Sequence, residues 1–339
     1  MVTMNSFKIF SKTKSFNNDV LTPIAAYLKL NQTNAFFLES VEKGANVGQF
    51  SMIGYDPLYK VQGYKNYITT FDGTQQQMID GNPLSNLSKI YKSIKHFQEG
   101  FTPVKLGFFG YFSWEVIQAI ENIQLKKAPD HLFDFQIPKI LIVFDHVQQT
   151  IYITQSSFDK IDSSSTIDAI YAQIGLPLPD SSLDQITKPD AIDWDQVESN
   201  WTKEEYEEAV KNVKSHIKEG DIFQAVISQR FSVQKTKESL AVYRALRHIN
   251  PSPYMFYFNY GDYQLIGSSP EILVKSNDGF ATLRPIAGTR KRTYKNEESL
   301  VEELKADEKE VAEHIMLVDL GRNDLGRVCN YESVQINDL

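Results

Sequence analysis

The stretch that decides the class of the fold is YMFYFNYGDYQLIGSSPEILVKSNDGFATLRPIAGTR, residues 254–290. Runs rich in aromatic and β-branched residues alternate there with short polar turns that contain Gly261 and Gly279. Such runs favour strands, and turns with glycine connect neighbouring antiparallel strands. The pattern therefore predicts an antiparallel meander.

The chain before this stretch divides by composition. Residues 1–155 contain one amphipathic segment, Leu84–Phe97, with apolar residues at helical spacing, and the strand-like runs FFLESV, FSMIGYD, KNYITTFDG and LIVFDHVQQTIYIT. Residues 156–195 are rich in Ser, Asp and Pro, which is typical of a linker or a long surface connection, here with one short helix inside. We therefore expect an N-terminal region (1–155), a connection (156–195) and a third region (196–339).

The third region begins with a clear helix-start signal. Thr202 and Glu205 have the spacing of a capping box, apolar residues follow on one face that we expect to be buried, and Gly220 is placed to end the helix. The next run, IFQAVISQRFSV, alternates like a strand. A second helix is predicted near Ser239–His248.

Composition and charge exclude several classes of function. The 339 residues are 42% hydrophobic and 23% charged, which is ordinary for a globular protein with a sizeable core. The formal charge of −8 argues against a nucleic-acid surface, and no apolar run approaches the about 18 residues that a membrane span needs. The single cysteine, Cys329, excludes an internal disulfide and a Cys-rich metal site. Because the N-terminus also lacks a secretory signal, we expect a cytoplasmic protein.

A helical stretch near the end of the chain carries a pair of carboxylates. We expect this helix over Glu297–Gly321, with a break near Ala306–Asp307, and a strand at YESVQIND after it. Glu310 and Glu313 are three residues apart, so their side chains project to the same side of the helix. Mg²⁺ held by these carboxylates and water would neutralise them. A solvated acidic face near a helix start is the alternative, and the spacing alone leaves both open.

Three other segments combine turn residues with charged side chains. In RPIAGTR (284–290), the backbone N–H groups of Gly288 and Thr289 and the Thr289 hydroxyl can approach a carboxylate closely. The flanking Arg residues can also bind a carboxylate. A simple β-turn is the alternative. In GSSPE (267–271), Pro270 interrupts the strand pattern, so Glu271 is either aimed into a cavity as a general acid or solvated at a bulge. GRNDLGR (321–327) is predicted to form a helix end and a tight turn.

Together these segments resemble anthranilate synthase component I, of the chorismate-utilising enzymes. Six short motifs match those of the family, in the same order and at similar spacing. They are LES (38–40), FSMIG (50–54), SPYMF (252–256), GSSPE, RPIAGTR and EHIMLVDLGRNDLGRV (313–328). The resemblance implies an α+β fold in which large antiparallel sheets pack between helical layers. It also implies a Mg²⁺-dependent lyase that aminates chorismate and eliminates pyruvate to give anthranilate in tryptophan biosynthesis.

The resemblance also assigns roles in an active site. By position, Glu313 matches a metal-binding Glu, and Glu310 is expected to be a supporting carboxylate. Gly288 and Thr289 match positions that contact chorismate, and Thr289 is counted with Glu271 among the catalytic residues. Glu271 matches a general acid toward the departing ring hydroxyl.

A second set of positions matches the family's tryptophan feedback pocket. They are Ser40, Pro253, Tyr254 and Met255, with Glu39 beside them. Such a pocket would join the N-terminal region to the third region. Tryptophan can inhibit there only if it prefers one arrangement of the two regions over another.

Two positions of this chain distinguish anthranilate synthase from related chorismate-utilising enzymes that use a lysine there. Isochorismate and salicylate synthases use a Lys as base where this chain has Gln224, and a neutral amide cannot take up a proton. Aminodeoxychorismate synthase carries a nucleophilic Lys where this chain has Ala287, and a methyl group cannot form a covalent adduct. Both residues favour anthranilate synthase, with ammonia attacking the ring directly.

The family pattern continues past Leu339 with a strand that bears a catalytic His, further substrate-binding segments and a final metal-binding Glu. We therefore expect a C-terminally truncated chain that is inactive by itself. No segment resembles a glutamine amidotransferase, so ammonia is expected from a separate glutaminase subunit, anthranilate synthase component II, or from solution. The alternatives are aminodeoxychorismate synthase component I and a non-catalytic tryptophan-binding module.

Overall fold

The computed structural model describes residues 7–40, 48–123, 125, 131–160, 162–178, 193–291 and 297–337. The chain forms two compact units: the larger contains Met1–Pro179 and Leu246–Leu339, and the smaller contains Asp180–Ala245. None of the helices in the described ranges is both long and apolar enough to cross a membrane.

Fifteen strands lie in the described residues. In chain order they are β1 (Phe7–Asn17), β2 (Ala35–Glu39), β3 (Phe50–Gly63), β4 (Tyr67–Phe71), β5 (Gln76–Asp80), β6 (Ile94–Glu99), β7 (Phe109–Phe112), β8 (Phe133–Asp145), β9 (Thr150–Ser157), β10 (Glu198–Ser199), β11 (Phe231–Ser232), β12 (Tyr254–Asn259), β13 (Gln264–Ser269), β14 (Lys275–Asn277) and β15 (Phe280–Thr282). Eleven of them form one sheet in the larger unit, in the order β13-β12-β2-β3-β8-β9-β1-β6, with β4 between β3 and β5 and with β7 on β8. All pairs in this sheet are antiparallel except β1 with β6, so the predicted α+β fold with a large antiparallel sheet is confirmed.

Seven α-helices accompany these strands in the described part of the chain. They are α1 (Pro23–Leu30), α2 (Pro83–Ser93), α3 (Ser164–Gly175), α4 (Lys203–Glu219), α5 (Ser239–Ile249), α6 (Glu297–Ala306) and α7 (Glu308–Gly326). Helices α1 and α3 contact each other and the large sheet. Helix α3 buries Ile167, Ile170 and Ile174, which recur at three and four residues and so lie on one face. The short helix expected within residues 156–195 is therefore present and forms part of the core.

The core lies on both faces of the large sheet. On one face, Phe36 of β2 packs with Leu141 and Val143 of β8 and with Phe258 of β12. On the other face, Tyr27 of α1 lies 5.5 Å from the ring of Phe37 and 5.7 Å from the ring of Tyr257. Burying one such side chain stabilises the fold by about 1.5–3 kcal/mol, so these contacts fix the position of β12 against β2.

Three glycines of the sheet lie directly opposite a phenylalanine. Gly54 faces Phe36, Gly63 faces Phe133 and Gly267 faces Phe256. A Cβ on any of these glycines would overlap the partner's ring. Each ring therefore covers the backbone of its glycine, and each glycine is required because the ring occupies the place of a side chain.

The predicted meander forms two separate hairpins. β12 pairs with β13 and β14 pairs with β15, while no ladder joins β13 to β14 among the residues described. Pro270 follows β13 directly and has no N–H to donate to a ladder, which ends the pairing there.

Other predictions were correct at the helix ends and wrong in three segments. Helix α4 begins with the predicted capping box at Thr202 and ends at Gly220 in the left-handed conformation, but none of its residues is fully buried. IFQAVISQRFSV is a strand only at β11, and side chains rather than a neighbouring strand bond two of its backbone groups. Trp201 Nε1 donates to the Ser228 carbonyl at 3.0 Å, and the Asn200 side chain accepts from the Arg230 N–H at 2.6 Å.

The amphipathic segment Leu84–Phe97 is helical only to Ser93. Residues 94–99 instead form β6, which pairs in parallel with β1, since the edge of β1 offers backbone groups that a strand can satisfy.

The end of the chain also differs from prediction. The helix breaks at Asp307 as expected, and α7 ends within GRNDLGR as predicted, but it continues through Gly321 to Gly326, so most of that segment is helical and the turn begins only at Arg327. Leu283 packs against Gly321, where a Cβ would come within 3.2 Å of its side chain. Residues 331–337 form no strand.

Candidate functional site

The N-terminal end of α7 forms an acidic cluster. Asp307 caps the helix, and its Oδ1 accepts the N–H groups of Lys309 at 3.1 Å and Glu310 at 3.2 Å. Glu310 and Glu313 follow on the same side of the helix, and both are partly buried. The helix therefore presents two carboxylates beside a third at its cap.

Arg290 neutralises much of this cluster. Its Nε lies 2.9 Å from Glu303 Oε1, its Nη2 lies 2.8 Å from Asp307 Oδ2, and its Nη1 lies 3.8 Å from Glu310 Oε1. The hydrogen bond to Glu303, followed by that to Asp307, raises the pKa of Arg290 above its usual value. The pKa of Asp307 is lowered, chiefly by the N–H of Glu310 and also by Arg290, so this carboxyl stays ionised.

Gly288 brings the RPIAGTR turn against the same helix. Its φ of 68° lies in the left-handed region that favours glycine. A Cβ there would lie 2.8 Å from Glu310 Oε2 and 2.9 Å from Leu304 Cδ1. The turn can therefore lie this close to Glu310 only with glycine at this position.

Glu271 contacts the RPIAGTR turn at Ile286, two residues before Gly288. Its Oε1 accepts the N–H of Ile286 at 3.0 Å, and Ser269 Oγ at the end of β13 donates to the Glu271 carbonyl at 3.0 Å. Glu271 and Thr289 are both exposed. The structure thus links three of the predicted segments by direct contacts, from GSSPE to RPIAGTR and from RPIAGTR to the start of α7.

The residues of the second predicted site meet where β2 and β12 pair. Met255 lies directly opposite Glu39, and both are buried. Ser40 follows β2, Pro253 precedes β12 and is partly buried, and the Tyr254 side chain is 45% exposed. All five residues therefore lie at one end of the β2–β12 ladder.

Sequence reasoning missed the polar partners of this second site. Arg247, on the last turn of α5, lies with its Nε 2.8 Å from Glu39 Oε2, and its Nη2 donates to Glu39 Oε1 at 3.2 Å. On the other side of Glu39, Ser51 lies opposite it on β3 and hydrogen-bonds His146 Nε2 at 2.8 Å. Burial lowers the pKa of His146. A basic residue near a helix C-terminus is a common dipole partner, so nothing in the sequence distinguished Arg247.

Comparison with known proteins shows the family of this chain. A family model described as chorismate binding enzyme matches residues 33–339. Anthranilate synthase component 1 of Synechocystis sp. is 39% identical over 95% of this chain and 69% of its own length, and that of Acetivibrio thermocellus is 36% identical over 100% and 72%. The chain belongs to the chorismate-binding enzyme family.

Solved structures show the same fold in this family. The crystal structure of anthranilate synthase component I from Streptococcus pneumoniae superposes with a TM-score of 0.73 at 29% identity, over 95% of this chain and 70% of that chain. The menaquinone-specific isochorismate synthase of Escherichia coli has a TM-score of 0.59 at 12% identity, over 95% and 64%. The second likeness concerns the fold alone.

The carboxylates of α7 suit the metal that this family's chemistry implies. Mg²⁺ takes oxygen ligands and is commonly bound through one or two carboxylates with water, and Glu310 and Glu313 offer two. Arg290 leaves room for a further positive charge, because it contacts Glu310 only at 3.8 Å and pairs more closely with Glu303 and Asp307.

Among the described residues, three metal-ligating atoms lie within 4.8 Å of one another in a different group, and the carboxylates of α7 do not form such a group. The group that does consists of His216, Glu219 and Asp221, all exposed, in the smaller unit. It matches no predicted site.

Proposed function

We propose that this chain is the chorismate-converting component of anthranilate synthase, a Mg²⁺-dependent lyase that forms anthranilate and pyruvate. The similarity to relatives of that name over nearly the whole chain carries the proposal. The contact between Gly288 and Glu310 supports it, because the turn that we propose to bind substrate lies directly beside the helix that we propose to bind the metal.

In this proposal Glu313 and Glu310 hold Mg²⁺, which when bound would neutralise a carboxylate of chorismate. The Gly288 N–H and the Thr289 hydroxyl donate to the substrate's carboxylate, and the left-handed backbone at Gly288 allows that close approach. Ala287 offers no nucleophile, so ammonia attacks the ring carbon directly.

Glu271 would protonate the ring hydroxyl as it leaves as water. A general acid at neutral pH needs a raised pKa, and burial of a carboxyl raises it. Glu271 is exposed, and we propose that bound substrate covers it and prepares it as the acid. Loss of pyruvate from the aminated intermediate then restores the aromatic ring.

We also propose tryptophan as a feedback inhibitor that binds at Ser40, Pro253, Tyr254 and Met255. The β12–β13 hairpin, which contains Tyr254 and Met255, supports this proposal. Tyr254 lies directly opposite Ser269, and Ser269 Oγ hydrogen-bonds the backbone of Glu271. A ligand that shifts β12 against β13 would therefore move the proposed general acid. The nitrogen source would be a separate glutamine amidotransferase subunit in the cytoplasm.

The test is product analysis with the purified chain, chorismate, Mg²⁺ and ammonium, by anthranilate fluorescence and by pyruvate release. A parallel sample contains a polypeptide with the segment of the Synechocystis relative that lies beyond the match. We expect anthranilate and pyruvate in equal amounts in at least one sample.

Variants locate the site. Glu313→Ala and Glu271→Gln should abolish turnover, while Glu308→Ala, an exposed residue on the same helix, should retain it. An aminated product that keeps its enolpyruvyl group would instead indicate aminodeoxychorismate synthase. Absence of any aminated product in both samples contradicts the proposal.

A further inference from the structure

A buried carboxylate lies under the proposed tryptophan site. The Glu39 side chain is 2% exposed, and the residues around it on the same face of the sheet, Phe37, Met255 and Tyr257, are apolar and buried. A charge in such surroundings is costly unless a cation pairs with it.

Arg247 provides that cation with two contacts. Its Nε and Nη2 lie 2.8 Å and 3.2 Å from the two oxygens of Glu39, and its side chain is 38% exposed. Nη2 makes the hydrogen bond, whereas Nε contributes an ion-pair contact without one, so a single charge-assisted hydrogen bond and the attraction of opposite charges hold the two groups together. The pair joins residues that are 208 positions apart in the chain.

The alternation of the strands separates Glu39 from Tyr254. Glu39 and Met255 are ladder partners, so their side chains lie on one face of the sheet. Tyr254 precedes Met255 within β12 and therefore points to the opposite face. A ligand that lies against the Tyr254 ring is thus on the other side of the sheet from the Glu39 carboxylate, and it can contact Met255 only through the backbone, because the Met255 side chain is buried on the Glu39 face.

The segment between Arg247 and Tyr254 is short and held at several points. Six residues separate the two, the Asn250 carbonyl accepts Ser268 Oγ at 2.6 Å, and Ser252 is buried. An anchor on Arg247 therefore restricts the position of Pro253 and Tyr254 relative to Ser40, which follows Glu39 in the chain.

We infer that Glu39 and Arg247 are positioning residues of the effector site and do not contact the effector. The pair fixes the end of α5 to the end of β2, and so sets the distance between the two chain segments that carry Ser40 and Pro253–Tyr254. This inference rests on the proposed tryptophan site and assigns Arg247 a role in it.

The ligand test separates positioning from contact. Isothermal titration measures the affinity of the chain, alone and with the complementing polypeptide, for tryptophan and for indole-3-propionate, which lacks the amino group. Arg247→Gln should weaken the binding of tryptophan and of indole-3-propionate by the same factor, and Glu39→Gln should also weaken the two ligands equally, by about tenfold in each variant for loss of an ion pair in which only the carboxylate is buried. Arg247→Lys, which keeps the charge, should restore part of the affinity, and Arg244→Gln on the same helix should leave it unchanged.

If Glu39 instead binds the ammonium group, Glu39→Gln will weaken tryptophan alone, and the inference fails. Amide hydrogen exchange provides a readout that needs no ligand. Both Gln variants should accelerate exchange at β12 residues 254–259, and Arg244→Gln should not. If the unmodified chain binds no tryptophan, the proposed feedback site is wrong, and unchanged exchange in the Gln variants would overturn the positioning pair as well.

Discussion

The pairing of Gly54 with Phe36 makes a prediction whose sign can be worked out from the structure. Replacing a strand glycine with alanine removes conformational freedom from the unfolded chain and stabilises an ordinary strand by about 0.5–1 kcal/mol. At Gly54, however, the new Cβ would overlap the Phe36 ring, which is fully buried and lies 4.5 Å from the ring of Phe109 and 5.6 Å from that of Phe258.

The ring cannot move without displacing these neighbours. Overpacking of a core by one methyl group costs about 1–3 kcal/mol, which exceeds the gain from lost freedom. Gly54→Ala should therefore lower the free energy of unfolding by up to about 2.5 kcal/mol, which is the cost of about 1–3 kcal/mol less the gain of about 0.5–1 kcal/mol.

Phe36→Leu removes the ring and supplies the critical comparison. In that background the methyl group meets no ring, so Gly54→Ala should stabilise the chain by about 0.5–1 kcal/mol. Urea titration followed by circular dichroism measures all four free energies of unfolding. Gly107→Ala serves as control, because its Cβ would meet no atom within 4 Å and its φ is not positive.

The result that would refute this reasoning is equally specific. If Gly54→Ala is stabilising with Phe36 present, or costs the same in both backgrounds, the ring does not occupy the space over the glycine. The same reasoning then fails for Gly63 and Gly267.

Three further predictions concern single groups. Gly288→Ala should cost about 1–2 kcal/mol in backbone strain and push the turn from Glu310, so chorismate affinity measured by titration should fall about tenfold; unchanged affinity would remove Gly288 from the site. Arg290→Gln should speed amide exchange over residues 286–290, with Arg290→Lys between it and the unmodified chain, and equal rates in all three would show that Arg290 does not hold the turn. Burial raises the pKa of Asp134, so the folded chain binds a proton at this carboxyl more tightly than the unfolded chain does. The stability gained from this protonation is fully present below pH 3.8, the ordinary pKa of the group, and is lost as the pH rises through the folded pKa. The stability of Asp134→Asn relative to the unmodified chain should therefore increase with pH over that window, and a difference that stays flat from about pH 4 to pH 7 would contradict the assigned shift.

Features that depend on neighbouring residues followed from the sequence. The capping box at Thr202 and the left-handed end at Gly220 need only side-chain and backbone groups within one turn of each other. The same holds for the break at Asp307, where the side chain caps the next helix. The β12–β13 hairpin was predicted because its strands are adjacent in the chain and its turn contains glycine.

Errors arose where a distant partner competed with local preference. Residues 94–99 have a helical pattern but pair with β1, more than eighty residues away in the chain. Residues 222–230 alternate like a strand, yet they form none, and the side chains of Trp201 and Asn200 bond the Ser228 carbonyl and the Arg230 N–H. Gly321, a residue type that disfavours helices, lies inside α7, where Leu283 packs closely against it.

The sequence alone determined the family, the antiparallel character of the sheet and the identity of the charged residues near the proposed site. These features follow from the order and spacing of motifs, which can be read directly from the sequence. Only the tertiary structure decided which charges meet. Arg290 was predicted as a carboxylate-binding residue, and the structure uses it to hold Glu303 and Asp307. Glu39 was placed among effector residues, and strand register turned its side chain to Arg247, on the face opposite Tyr254. Ion pairs of this kind depend on which strands become neighbours and on a register that reverses every side chain when it shifts by one residue, and neither quantity is encoded by local spacing.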